Sequence, residues 1–137
     1  LSNIQPLIHI VDDDPAVVKG LKRLLHSWGM QVRTYTSGEE FLSALRESPE
    51  VDCSIVDLMM PGMTGLEVQE QMSHAGLDVP VIFMTAHAIE GAEEQALRGG
   101  AVGFLRKPFK EEALVELIRK ATHPRRKSVA PDAGPGQ

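Results

Sequence analysis

The sequence predicts an α/β fold, a five-stranded parallel sheet that is doubly wound, with helices on both faces. Three observations carry this. Short apolar runs alternate with longer amphipathic ones five times along 137 residues, and strict alternation of that kind marks a parallel sheet covered on both sides. Val79–Met84 is the most buried-looking of the short runs, as a strand covered on both faces requires. Hydrophobic residues make up 42% of the chain and charged residues 24%, the balance of one globular domain of ordinary size.

Each element has its own signal. Leu7–Val11 is an apolar run broken by His9 and stopped by Asp12-Asp13-Asp14. Val17, Val18, Leu21, Leu24, Leu25 and Trp28 then recur at helical spacing, with Pro15 suited to the first turn and Gly29 to the stop. Asp14 reads as the cap of that helix. Gln31–Tyr35 is the second strand. Ser37-Gly38-Glu39-Glu40 matches a capping box, ahead of Phe41, Leu42 and Leu45. Val51–Val56 is the third strand and ends at Asp57. A loop over Leu58–Thr64 leads to a helix from about Gly65 to His74. Val79–Met84 is the fourth strand and closes at Thr85. A weaker helix over Ile89–Arg98 is interrupted by Gly91 and ended by Gly99-Gly100. Gly103–Leu105 is a very short fifth strand, and Lys110–Ala121 the last helix, with Leu114, Leu117, Ile118 and Ala121 on one face. Residues 1–121 are expected to form one domain. Residues 122–137 hold three Pro and two Gly in sixteen positions and read as a flexible tail or linker.

Charge and composition exclude several functions. The formal charge is −5, and residues 1–121 carry 11 basic against 18 acidic side chains. A body this acidic is a poor reader of a phosphate backbone, which needs a basic stripe, so direct nucleic-acid binding is not expected. A single cysteine, Cys53, excludes an internal disulfide framework and a cysteine-based zinc cluster. No run approaches the ~18 apolar residues of a membrane span, and the N-terminus lacks a basic stretch before its apolar residues, so it does not read as a signal peptide. A cytoplasmic location is expected.

Chemistry gathers where the strands end. Asp12 and Asp13 close the first strand, Asp57 the third, Thr85 the fourth and Lys107 the fifth. Ligands of open parallel sheets bind outside the carboxyl ends of the strands, where the strand order reverses. With order 2-1-3-4-5, the first and third strands flank that crevice and three carboxylates converge in it. Crowded carboxylates either take up a proton or bind a cation. A hard divalent ion such as Mg²⁺ suits oxygen donors and uses only one or two carboxylates. Lys107 cannot ligate a metal but can hold an anion, which suits phosphoryl transfer. An aspartate can itself be the nucleophile.

The ordered set Val11-Asp12-Asp13-Asp14, Asp57-Leu58-Met59-Met60-Pro61-Gly62-Met63-Thr64-Gly65, Met84-Thr85-Ala86 and Phe104-Leu105-Arg106-Lys107-Pro108-Phe109 resembles the receiver domain of bacterial two-component response regulators. The likeness covers about residues 7–121. Thr85-Ala86-His87 and Phe104 are most similar to the nitrogen-fixation type of regulator. The strand order above is that of the family's chemotaxis member, so it belongs with the resemblance and is not an independent inference.

The resemblance implies a role for each residue. Asp57 is the expected phosphoacceptor, taking a phosphoryl group from a phosphohistidine on a sensor histidine kinase. Asp13, Asp57 and the backbone carbonyl of Met59 are expected to bind Mg²⁺, with Asp12 acting through a metal-bound water. Lys107 and Thr85 are expected to meet phosphoryl oxygens, and movement of Thr85 to make room for the Phe104 ring, switching the surface of the fourth helix and fifth strand. The Lys107–Pro108 bond is expected to be cis. Met59 and His87 occupy the positions that tune phosphoryl lifetime, and the apolar Met59 points to a long-lived phosphorylated state. Phosphorylation-dependent homodimerisation is an expected partner event.

Blander readings stand beside these. Phe104 also suits half-buried core, His87 an exposed surface, and His9 a satisfied sheet histidine. A Mg²⁺-dependent phosphatase is a second function class, but such sites place an acid two residues beyond the nucleophile, where this chain has Met59. A flavodoxin-like nucleotide module would need a Gly-rich phosphate loop after the first strand, where only aspartates stand. The chain reads as the N-terminal part of a response regulator transcription factor or as a single-domain regulator, with no room after Ala121 for a helix-turn-helix.

Overall fold

The computed structural model describes residues 5–129, with side chains through residue 122. Strands β1 (Leu7–Val11), β2 (Gln31–Tyr35), β3 (Cys53–Asp57), β4 (Val81–Thr85) and β5 (Gly103–Arg106) alternate with helices α1 (Pro15–Ser27), α2 (Gly38–Glu47), α3 (Gly65–His74), α4 (Ala92–Arg98) and α5 (Glu111–Val129). The sheet is parallel throughout, in the order β2-β1-β3-β4-β5. The expected fold class and strand order are both present.

Side-chain alternation along the strands divides the core in two. Ile8, Ile10, Cys53, Ile55, Ile82 and Met84 pack with Leu21 and Leu25 of α1 and Leu114 and Ile118 of α5. Val11, Val56, Val81 and Phe83 pack on the other face with Phe41, Leu42 and Leu45 of α2, Val68 and Met72 of α3, and Ala92 and Ala96 of α4. Burying each large apolar side chain stabilises the fold by about 1.5–3 kcal/mol.

The first cap is as the sequence suggests. The Asp14 carboxylate accepts from the Ala16 N–H at 3.0 Å, with Pro15 just inside the helix. The second differs in detail: Ser37 Oγ accepts from the Glu40 N–H, but the Glu40 carboxylate reaches back to Thr36 and not to Ser37. The complete reciprocal box stands at α3, where Thr64 and Glu67 each accept the other's N–H. Thr64-Gly65-Leu66-Glu67 carries the same spacing signal.

Four boundaries move by two residues or more, each for a local reason. β3 begins at Cys53 because Asp52 is occupied with Leu7, its carboxylate accepting the Leu7 N–H at 2.8 Å. β4 begins at Val81 because Pro80 has no N–H for the ladder. α4 begins at Ala92 and not Ile89, since Gly91 takes φ +81° and breaks the helical path. The last helix runs to Val129 and not to Ala121. Of the five Pro and Gly residues after Ala121, only Pro124 precedes position 129, and the helix formers Arg125, Arg126 and Lys127 follow it. The remainder of the expected tail, 130–137, lies outside the described residues. No described helix is long and apolar enough to cross a membrane.

Candidate functional site

The carboxyl ends of β1, β3 and β5 meet at one point. Carboxylate oxygens of Asp12, Asp13 and Asp57 all lie within 4.8 Å of one another. Asp12 and Asp57 are buried and Asp13 is exposed. The Lys107 ammonium stands between the two buried acids, donating to Asp12 Oδ2 at 2.9 Å and lying 3.4 Å from Asp57 Oδ1. The other Asp12 oxygen accepts the Asp14 N–H at 2.9 Å.

Each position follows from the fold. Residues at the ends of buried strands emerge together because the register is in step, with Val11 beside Val56 and Asp57 beside Met84. Lys107 follows β5, its N–H donating to the Thr85 carbonyl at 2.7 Å, and precedes a cis peptide bond to Pro108. The expected cis bond is present.

Electrostatics at the site are unequal. Burial, and then the neighbouring Asp12 charge, push the Asp57 carboxyl up to about 6, against the opposing pull of Lys107. Burial acts to lower the Lys107 pKa, but the hydrogen bond to Asp12 and the charges of Asp57 and Asp12 outweigh it and raise it. Lys107 therefore stays an ammonium at neutral pH, and Asp57 is an ionised but strained carboxylate.

Around this cluster, Thr85 is buried, one residue beyond the register partner of Asp57. Its hydroxyl donates to the His87 carbonyl and accepts the His87 N–H, both at 3.1 Å. His87 thus meets Thr85 through its backbone, and its residue is exposed. Phe104 is half-buried beside Phe83 in the register, packed against the core on the α3 and α4 side. Met59, two residues beyond Asp57, is 48% exposed. Gly65 has a closer involvement than its place in the loop motif discloses. A Cβ there would stand 2.9 Å from the Asp57 carbonyl oxygen, so only glycine lets α3 approach the backbone this closely. The sequence signal was a glycine at the first turn of a helix, where propensity disfavours it.

The response regulator receiver domain model matches residues 8–119 of the chain. The chain belongs to the response regulator receiver family. Over 133 residues this receiver domain is 38% identical to the response regulator protein TodT of Pseudomonas putida, covering 96% of the chain and 58% of TodT. It is 37% identical over 112 residues to the transcriptional regulatory protein FixJ of Azorhizobium caulinodans, covering 82% of the chain and 53% of FixJ. The crystal structure of FixJ-N superposes with a TM-score of 0.78 at 33% identity, over 88% of this chain and 95% of that one. The receiver domain spans a little over half the length of these curated relatives. As a receiver domain it is a signalling module of two-component systems, and the phosphatase reading is not favoured.

Proposed function

We propose that this receiver domain accepts a phosphoryl group on Asp57 from a phosphohistidine of a sensor histidine kinase, in the cytoplasm. The observation that carries the reading is the buried Asp57 carboxylate set against Asp12, Asp13 and the Lys107 ammonium at the strand ends. An Asp57 oxygen attacks phosphorus, a P–O bond forms, the P–N bond breaks, and the kinase imidazole leaves with the electron pair. Lys107 faces the incoming phosphoryl oxygens, and Thr85 supplies a hydroxyl donor once released from His87. Positioning and charge compensation of this kind do most of the work in phosphoryl transfer.

The donor set fits Mg²⁺. Its oxygens are hard, they crowd within 4.8 Å, and the repulsion from Asp12 and Asp13, which adds to burial in raising Asp57, is what a divalent cation relieves. Asp13, Asp57 and the Met59 carbonyl would hold it, with Asp12 acting through water, and it would supply neutralisation of the charge built up in transfer. Met59 gives no polar side chain to orient a hydrolytic water, so the phosphorylated state is long-lived, and Met59→Asn shortens it. His87 borders the same path.

Switching involves Thr85, Phe104 and the surface of α4 and β5, where Leu97 of α4 is 44% exposed and Ile89, in the segment before α4, 40%. A phosphorylation-dependent homodimer through that face is part of the proposal, and DNA binding belongs to other parts of a longer regulator. In the proposed division, residues 1–121 form the receiver and the residues beyond connect it onward. Acetyl phosphate with Mg²⁺ tests the central claim by intact mass. The wild-type domain gains one phosphoryl group and Asp57→Asn gains none, whereas equal labelling of the variant overturns the assignment. Sizing with and without beryllofluoride tests the dimer, and a monomer under both conditions removes it.

A further inference from the structure

We propose that Gln69 latches α4 to α3, and that through this latch the position of α4 follows the backbone around Asp57. The Gln69 amide Nε2 crosses from α3 to donate to the Ala96 carbonyl in the last turn of α4 at 2.9 Å. That carbonyl also accepts the Ala101 N–H at 3.0 Å, while Gly100, at φ +102°, donates to Leu97. The helix therefore ends in a Schellman motif, and both lone pairs of its key carbonyl are in use.

A notch is built for the amide. A Cβ on Gly99 would fall 2.7 Å from Gln69 Oε1 and 2.8 Å from its Cδ. Gly99 itself has φ −80° and ψ 2°, a backbone any residue adopts. Its lack of a side chain is thus explained by the space Gln69 fills and not by a turn.

The latch counts because little else holds α4. Its buried residues are Ala92 and Ala96, and Gly91 caps its N-terminus without a side-chain hydrogen bond. The start of α3, one turn before Gln69, is tied to the loop after Asp57. Gly65 donates its N–H to the Leu58 carbonyl at 2.8 Å, and its Cα sits where a Cβ would strike the Asp57 carbonyl. One ten-residue helix thus has the Asp57 backbone at its start and α4 at its side, and a displacement at either end must be shared. The Thr85 contact concerns the segment that precedes α4, whereas Gln69 holds the end that leaves it.

The identity of the signal rests on the reading of Asp57 as phosphoacceptor. The latch itself does not. Hydrogen exchange by mass spectrometry across residues 92–102 compares wild type, Gln69→Ala, Gly99→Ala and the double variant, in EDTA and with Mg²⁺ and beryllofluoride. Both single variants are expected to exchange roughly three- to tenfold faster in α4, the range that one neutral hydrogen bond commands. The double variant is expected to exchange no faster than Gln69→Ala alone, because both changes remove one interaction. Phosphoryl uptake from acetyl phosphate stays within about twofold of wild type, and the beryllofluoride response of α4 shrinks by at least half. Wild-type exchange in both single variants, additive effects in the double, or an undiminished beryllofluoride response overturns the proposal. If wild type takes up no phosphoryl group, the phosphoacceptor reading fails, and the EDTA comparison still decides the latch.

Discussion

Two buried groups set opposing pH dependences on this fold, and separating them is a demanding test of the structure. His9 is 1% exposed, and neither ring nitrogen has a hydrogen-bond partner among the described residues. Its ring lies edge-on to Tyr35 and Phe41 at 5.0 and 5.8 Å between centroids. Burial, with a further push from Arg33, lowers its pKa from 6.5 to about 4. Asp57 is displaced the other way, from 3.8 to about 6. At about 1.4 kcal/mol per pH unit, each gap corresponds to roughly 3 kcal/mol. The signs differ. The neutral His9 is what the fold accepts, so its contribution is lost as pH falls from 6.5 through 4. Asp57 is easier to bury protonated, so its contribution is present below 3.8 and lost as pH rises through 6. The wild-type terms nearly cancel over this window. Urea midpoints in EDTA between pH 4 and 7 resolve them as differences from wild type, since titrations common to both proteins drop out. Asp57→Asn is expected to be about 1–3 kcal/mol more stable at pH 7 and to lose that advantage towards pH 4. His9→Leu is expected to gain about 1–3 kcal/mol at pH 7 by removing unpaired nitrogens, and its advantage should widen on acidification. Difference profiles that are flat, or tilted the opposite way, refute this account of both groups.

Three further outcomes follow from the same geometry. Lys107→Met leaves the buried Asp12 and Asp57 charges without a cation, and a loss of about 3 kcal/mol is expected at pH 7 by urea denaturation. Gly65→Ala drives a methyl into the Asp57 carbonyl and the Leu58 Cα, both backbone contacts at 2.9 Å. A cost of about 1–3 kcal/mol, with slowed phosphoryl uptake by intact mass, is the expected pair of effects. Millimolar Mg²⁺ raises the melting temperature of the wild-type domain, because a ligand that binds only the native state stabilises it by mass action. The rise should be much smaller in Asp57→Asn, and equal rises would place the ion elsewhere.

What could be read from the sequence was whatever acts locally or through strand ends. Alternation of apolar runs, the Asp14 cap and the glycine stops at Gly29 and Gly99-Gly100 are short-range signals, and each is present in the fold. The Thr64 box is equally local, and its residues overlap the end of the loop motif that follows Asp57. Strand ends bring Lys107 and the aspartates to one place, but which distant residues pair there, or elsewhere, is not legible. The pairing of Lys107 with Asp12 spans 95 positions and that of Gln69 with Ala96 spans 27. Neither a spacing rule nor a propensity reports on them. His9 was expected to be satisfied in the sheet. The hydroxyl of its neighbour across the ladder, Ser54, is likewise buried without a hydrogen bond among the described residues, and only the packing of both faces reveals it.

The division of Lys107 between two acids also bears on which carboxylate can react. Asp12 has both oxygens engaged, one by the ammonium at 2.9 Å and one by the Asp14 N–H at 2.9 Å. Those hydrogen bonds draw on the electron pairs a nucleophile must use. Asp13 is exposed, where water competes for its charge. Asp57 is buried like Asp12 yet meets Lys107 only at 3.4 Å, and its raised pKa records how poorly its charge is compensated. A carboxylate that is desolvated, ionised at neutral pH and incompletely hydrogen-bonded retains its basicity and its free lone pairs. These contacts support the proposed role of Asp57 as the oxygen that attacks phosphorus, with Asp12 orienting Lys107 beside it.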